Sequence, residues 1–214
     1  MDRDRLATLF DLTGRVAIVT GGTRGIGRAI AEGYVCAGAR VVVASRKADA
    51  CAETESYLTD ALGGEALGVP THLGDLDALR ALVDATVARF GQLDIVVNNA
   101  ANALTLPLGQ FTPEAWDKSF AVNLRGPVFL IQAALPYLKE SPNAAVVNVL
   151  SAGAFLASAH VSMYSAAKAG MHAFTRAMAR EWAPFGIRVN ALAPGTVDTD
   201  MVRASGPKGA AQMA

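Results

Sequence analysis

"RVAIVTGGTRGIG", residues 15–27, passes without a break from an apolar run into a glycine-rich turn. Val16 to Val19 show no polar alternation, which suits a strand buried on both faces rather than one with a wet side. Gly21, Gly25 and Gly27 follow, and a helical pattern takes over across 25–37. A buried strand that turns on glycines straight into a helix is the opening unit of a parallel sheet.

Outward from this stretch the same alternation continues. "RVVVAS" (40–45), "EALGVPTHL" (65–73), "LDIVVNNA" (93–100), "AAVVNVLSA" (144–152) and "IRVNALA" (187–193) read as further strands, the third weakened by Pro70. Helical patterns lie between them at 47–61, 75–90, 113–139 and 162–183. Asp75 is placed to cap one, and Thr112-Pro113-Glu114 reads as cap and first turn of another. Strand alternating with helix six times predicts an α/β chain, with one doubly wound parallel sheet and helices on both faces, forming a single domain over 1–214. Ligands of such sheets bind beyond the C-terminal strand ends. The candidate positions are therefore 20–27, 45–47, 72–75, 98–102, 151–153 and 194–199.

Composition narrows the function. The 214 residues are 52% hydrophobic and 18% charged, and 19 basic residues balance 19 acidic ones. A neutral chain has no bulk attraction for nucleic acid or for an anionic membrane, so neither is an expected partner. Two cysteines, Cys36 and Cys51, make no disulfide framework, which fits a reducing compartment. The charged start "MDRDR" leads into no signal-type apolar segment, and no run approaches the roughly 20 residues of a membrane span. The expected location is cytoplasmic.

In "TGGTRGIG" (20–27) the glycines let a bulky anion approach the backbone, and the helix start offers free N–H groups to a pyrophosphate. The spacing is G-x-x-x-G-x-G. Recognition of an adenosine 2′-hydroxyl would want an acid about 20 residues further on. Here the second strand ends in Ser45-Arg46-Lys47 instead. A guanidinium and a hydroxyl suit a phosphate dianion, and Arg24 lies in the turn itself, so the reading is NADP in preference to NAD. The competing reading is a solvated helix start with ordinary surface charge. In "SMYSAAKAGMHAF" (162–174), Tyr164 and Lys168 stand one helical turn apart on one face. Alone, that pair reads as an amphipathic edge.

Taken together, these motifs resemble the compact branch of the short-chain dehydrogenase/reductase family, with T-G-x-x-x-G-x-G and Y-x-x-x-K in order along nearly the whole chain. "NNAA" (98–101) is similar to the family's Asn-Asn-Ala-Gly, Ala101 replacing the glycine, and "PGTVDT" (194–199) resembles its Pro-Gly segment. The resemblance implies a Rossmann-like fold and hydride exchange between NADP and a ketone/secondary alcohol pair. It implies a catalytic set of Asn123, Ser151, Tyr164 and Lys168 and no metal. Cofactor contacts are implied for Gly21, Thr23, Arg24, Gly25, Ile26 and Gly27; for Ser45, Arg46, His72 and Leu73; for Asn99, Ala100 and Ala101; for Tyr164 and Lys168; and for Pro194, Gly195, Val197 and Thr199. His72 stands where the family commonly has an Asp that contacts adenine.

Tyrosine, with a pKa near 10, is a poor base at neutral pH, and a nearby ammonium lowers that value. On this reasoning Lys168 activates Tyr164 as general acid/base and Ser151 holds the substrate oxygen; for Asn123 the resemblance implies both a water leading to solvent and the tying down of a helix kink. Met163, Met171, Met178, Trp116 and Trp182 read as packing residues. His160 and His172 lack metal-ligand company. Leu104, Leu106, Phe155, Leu156 and His160 line a partly apolar substrate pocket in this reading. The helices at 113–139 and 162–183 carry more than one apolar stripe, which predicts a homodimer or homotetramer through them. The family continues through a substrate-binding segment and a last strand. "ASGPKGAAQMA" (204–214) is too poor in bulky apolar residues to supply that strand, so either the sequence is a piece of a longer chain or the sheet ends on an exposed sixth strand. The competing functional reading is an NADP-binding scaffold without turnover.

Overall fold

The computed structural model describes residue 5, residues 8–157 and residues 159–203. Six strands form one parallel sheet: β1 (Val16–Thr20), β2 (Arg40–Ser45), β3 (Ala66–Pro70), β4 (Ile95–Asn98), β5 (Ala145–Val149) and β6 (Arg188–Leu192). Their order is β3-β2-β1-β4-β5-β6. The order reverses at β1, where the chain leaves outward on one side to β2 and later resumes on the other at β4. This is the place where a parallel sheet opens a ligand crevice.

Helices α1 (Gly25–Cys36), α2 (Ala48–Ser56), α3 (Leu76–Phe90), α4 (Pro113–Phe120), α5 (Gly126–Glu140), α6 (Ser162–Trp182) and the short α7 (Asp200–Arg203) accompany the strands. The alternation of side chains along β1 sorts the core. Val16 and Ile18 join the layer filled by Leu79, Leu82, Leu130, Ile131 and Met171 from α3, α5 and α6. Ala17 and Val19 face the layer of Ala31 and Val35 from α1 and Leu58. Each large side chain sealed in these layers contributes roughly 1.5–3 kcal/mol by leaving water. Met163, Met171 and Met178 are buried as expected.

The predicted caps form. Asp75 Oδ1 accepts from the backbone N–H groups of Asp77 and Ala78 at 3.0 and 3.1 Å, and Thr112 Oγ1 accepts from that of Ala115 at 3.2 Å. The stretch at 113–139 is not one helix. Between α4 and α5 lies a π turn, Ala121–Arg125. Pro127 follows it and has no N–H to give Asn123's carbonyl, so the regular ladder breaks there. A second π turn, Tyr57–Ala61, ends α2. At the opposite end of the sheet, buried Asp94 accepts from Val16 N at 2.8 Å, Gln92 Nε2 at 2.6 Å and Ser141 Oγ at 2.5 Å. That clip fixes β1 against β4.

β6 pairs only with β5 among the described residues, and Leu192 at its end is 51% exposed. β6 is thus the outermost strand on that side of the described sheet. The segment 204–214 lies outside the described residues, as does most of the charged N-terminus. Both cysteines are free, Cys36 exposed and Cys51 buried. No described helix is long and apolar enough to cross a membrane.

Candidate active site

The turn after β1 is closed at Gly21 and Gly27 by contacts that leave no room for a side chain there. Gly21 has φ +65°, a left-handed conformation that costs glycine nothing. A Cβ on Gly27 would lie 2.2 Å from Gly21 O and 2.3 Å from Asn99 Nδ2. Asn99 Nδ2 donates to the carbonyls of Thr20 and Gly21 at 2.9 and 3.3 Å. Thr20 Oγ1 accepts from Asn99 N and Ala100 N at 3.0 and 3.1 Å and donates to Val97 O at 3.2 Å. Thr20 and Asn99 thus sew the end of β1 to the end of β4. Thr20 carries half of that seam.

α1 begins immediately beyond, with Arg24 extended at its cap, no side-chain cap and no acidic residue in its first turn. Its first N–H groups face the crevice edge without a carboxylate competing for them, which is the arrangement that takes a phosphate. Thr199 Cγ2 stands 3.2 Å from where a Cβ on Gly25 would sit, so the segment after β6 closes over the turn. Pro194 O accepts from Ala152 N at 2.8 Å, tying the same segment to the loop after β5. Thr23, Ile26, Ala100, Ala101 and Pro194 are half-buried around this cradle, whereas Gly195 and Val197 are exposed. Ser45 is half-buried at the end of β2, with Arg46 and Arg24 exposed. A cradle closed to a Cβ at Gly21 and Gly27, beside an uncapped helix start, fits a dinucleotide pyrophosphate.

Two of the expected cofactor contacts, Leu73 and His72, have side chains occupied within the protein. Leu73 turns its side chain into the core, because the chain leaving β3 folds inward to seal the layer under α3. Only its backbone is left to meet a ligand. His72 is exposed, and its Nδ1 accepts from Gly74 N at 3.1 Å, so the ring closes its own loop.

The catalytic candidates meet above β5. Ser151 follows that strand directly, and its Oγ accepts from Gly153 N at 3.1 Å. The Ser151 hydroxyl lies close enough to the Tyr164 phenol to act on its pKa, in the lowering direction. Lys168, one turn further along α6, is buried and donates from Nζ to Val149 O at 2.6 Å. Its amine lies 5.7 Å from the centre of the Tyr164 ring. Burial lowers Lys168 from 10.5 to about 8.

Tyr164 moves opposite to the expectation. Burial pushes the phenol above its ordinary value, and the Ser151 hydroxyl only partly opposes this. The reason is that a half-buried phenolate loses hydration, while the amine expected to compensate is directed at a backbone carbonyl.

Asn123 sits fully buried in the π turn. Its Oδ1 accepts from Asn102 N at 2.9 Å, and its Nδ2 donates to Asn102 O at 2.8 Å and Ser119 Oγ at 3.3 Å. The kink-holding role is therefore visible. Both amide hydrogens are used there, so the side chain has none left to donate to a water. Asn102, whose backbone it grips, closes the candidate stretch 98–102.

Around this pair, Leu106 N donates to His160 O at 2.7 Å and joins the loops after β4 and β5. His160 has φ +66°, a strained value for a side-chain-bearing residue. Phe155 is 58% exposed and meets His172 edge-on at 5.0 Å between ring centres. Trp116 is not packed away as expected. It stacks on Phe120 at 4.3 Å and stays 46% exposed, while Trp182 packs against the core. Among the described residues no group of three or more His, Cys, Asp or Glu side chains is arranged to hold a metal.

The glycine turn at the sheet's crossover and the Ser151, Tyr164 and Lys168 side chains above β5 share the C-terminal edge of one sheet. The family model described as short chain dehydrogenase matches residues 15–209, and the chain belongs to that family. It is 39% identical over 192 residues to a short-chain dehydrogenase/reductase, FrzI, of Cladobotryum sp, covering 89% of this chain and 74% of that one. The solved structure of a dehydrogenase/reductase from Sinorhizobium meliloti 1021 superimposes with TM-score 0.92 at 35% identity, over 98% of this chain and 82% of that one. A short chain dehydrogenase from Burkholderia cenocepacia J2315, solved in complex with NADP, matches with TM-score 0.87 at 36% identity, over 94% and 81% of the two chains.

Proposed function

We propose that the chain reduces a ketone to a secondary alcohol at the expense of NADPH. The observation that carries this is the Tyr164–Ser151 hydroxyl pair next to buried Lys168. When bound, the nicotinamide supplies the hydride that reaches the carbonyl carbon. Tyr164, held protonated by burial, delivers its proton to the carbonyl oxygen as that oxygen gains charge. Ser151 donates a hydrogen bond to the same oxygen. With a pKa of about 8, Lys168 is largely charged at neutral pH and favours the tyrosinate left behind. A protonated resting tyrosine favours this direction over alcohol oxidation. Asn123 holds the π turn, and with its amide hydrogens taken, its carbonyl oxygens are what remain to hold a relaying water.

Gly21, Gly27 and the start of α1 hold the pyrophosphate in this reading, and Arg46, Ser45 and Arg24 take the 2′-phosphate. The NADP complex of the Burkholderia relative supports the choice of coenzyme. Phe155, Leu156, Leu104 and Leu106 make the apolar side of the substrate pocket. A second copy of the chain covers Trp116, Phe129 and Phe174, which are 46%, 40% and 43% exposed on α4, α5 and α6. Light scattering at micromolar concentration then reports a dimer or tetramer, and a monomer removes that part of the reading.

The test is oxidation of NADPH and NADH, each followed with a panel of ketones and 3-oxoacyl thioesters. Turnover with NADPH is expected, and Tyr164→Phe lowers kcat by about 10³-fold while leaving NADPH binding in place. Full activity in that variant overturns the proton-transfer assignment. A preference for NADH overturns the role of Arg46.

A further inference from the structure

The layer beneath α6 contains three polar side chains where apolar ones would pack more simply. Asn98 and Asn148 are directly opposite each other in the β4–β5 pairing. Asn98 Nδ2 donates to Asn148 Oδ1 at 2.9 Å, Asn148 Nδ2 donates to Thr175 Oγ1 at 2.9 Å, and Thr175 Oγ1 donates to Met171 O at 2.8 Å. All three residues are buried. The string has one direction, because one amide hydrogen of each asparagine and the threonine hydroxyl hydrogen are each given to the next acceptor. It persists although Asn98 Oδ1 is buried with no hydrogen-bond partner. Apolar side chains at these positions would close the layer with no polar atom to satisfy.

Thr175 belongs to the same stripe of α6 as the reactive pair. Tyr164, Lys168, Met171 and Thr175 recur at intervals of four, three and four residues, which keeps them on one side of a helix with 3.6 residues per turn. The outer half of that stripe carries the hydroxyl and the amine. The inner half is bonded to β5, the strand whose end provides both Val149 O and Ser151. A helix packed only by Met163, Met171 and Met178 is free to rotate or slide slightly, since methionine adapts to several packings. A directional bond between two rigid elements removes that freedom.

We propose that Asn148 and Thr175, with Asn98 orienting Asn148, are positioning residues that set the rotation and height of α6 over β5, and so place Tyr164 and Lys168 against Ser151. This rests on the proposed roles of Tyr164 and Lys168. Displacements of about 1 Å at reacting groups cost up to 10²-fold in rate, so the expected loss is large beside the size of the change.

The experiment compares Thr175→Val, Thr175→Ser, Asn98→Ser and Met178→Ala in the NADPH-dependent assay, with melting temperatures and NADPH affinity measured in parallel. Thr175→Val keeps the shape and removes the acceptor. It is expected to lower kcat by about 10-fold or more, with KM for the ketone changed less than about twofold. Thr175→Ser restores the acceptor and is expected to restore kcat to within about threefold of the parent. Met178→Ala loosens the same helix outside the string and should lower the melting temperature while kcat holds. A Thr175→Val protein with parental kcat overturns the inference, and so does a kcat loss that merely tracks melting temperature across all four variants. Should Thr175→Val not fold, Asn98→Ser decides, because a parental kcat there also overturns it. Tyr164→Phe separates the two readings. Parental activity in that variant removes the catalytic assignment itself, whereas an inactive Tyr164→Phe beside a fully active Thr175→Val removes only the positioning.

Discussion

The turn after β1 and the loops after β4 and β5 share the C-terminal edge of one sheet, yet they are held by different means. The turn is fixed by backbone and short polar side chains at close range: Gly27 against Gly21 O, and Thr20 and Asn99 across the strand ends. The loops are joined by single bonds, such as Leu106 N to His160 O, and they present Phe155 and Leu156 to solvent. In the first construction nothing can move without breaking several contacts. The second leaves wall residues free to differ without disturbing the cradle. A protein that uses a constant coenzyme with a selectable substrate needs that division.

The sharpest way to break the comparison is to add one methyl group to each kind of glycine. Gly27→Ala puts a Cβ 2.2 Å from Gly21 O. It is expected to destabilise the fold by about 1–3 kcal/mol and to abolish measurable NADPH binding, as followed by thermal melting and coenzyme titration. Gly33, on α1 but with open space where its Cβ would be, gives the contrast. Gly33→Ala is expected to stabilise by about 0.5–1 kcal/mol through helix propensity. Unchanged coenzyme affinity in Gly27→Ala would mean that the cradle is not the pyrophosphate site.

That division also marks what the sequence made legible. The apolar run ending at Thr20 and the three glycines after it are local, so the sheet, its crossover and the cradle are readable from neighbouring letters. The Y-x-x-x-K spacing is equally local. The π turn at Ala121–Arg125 leaves little trace of its own, since it shifts hydrogen-bond partners within an unbroken helical pattern, and only Pro127 and the kink that the family resemblance implies at Asn123 point to it. Leu73 follows the third strand like a cofactor contact, but its side-chain direction is decided by α3 packing above it. Tyr164's shift was misjudged in sign because burial depends on what the tertiary fold lays over α6. The Asn98–Asn148 contact joins residues fifty positions apart and exists only once β4 and β5 pair in register.

Lys168 stands where the rigid and the open halves meet, and its burial makes a prediction independent of turnover. Its pKa in the folded chain, about 8, lies below its ordinary 10.5. Between those values the unfolded chain still holds the proton that the folded chain has released. Stability therefore rises with pH through that window, by at most roughly 3 kcal/mol from this group. Tyr164 acts in the opposite sense above pH 10, where the unfolded phenol ionises first and stability falls. Buried Cys51, whose thiol is also pushed above its ordinary 9.0, acts in that same opposite sense above pH 9, so the clear interval is about pH 8 to 9. Lys168→Met is expected to remove the rise there in denaturant melts, and a parental pH dependence in that variant would show that the amine is not held in an apolar setting.

The smallest expected effect belongs to the open half. Phe155 is 58% exposed and touches His172 edge-on, so Phe155→Ser costs little stability, within about 0.5 kcal/mol. If its ring forms the apolar wall, KM for a bulky ketone rises by about fivefold, less than for a fully enclosed pocket residue because much of the ring already meets water. KM for a small polar ketone and the affinity for NADPH stay where they were. The ratio of the two KM changes is the measurement that matters. A loss of NADPH affinity equal to the loss for the bulky ketone would show that the loop after β5 braces the cradle, and the two regions would then be one mechanical unit rather than two.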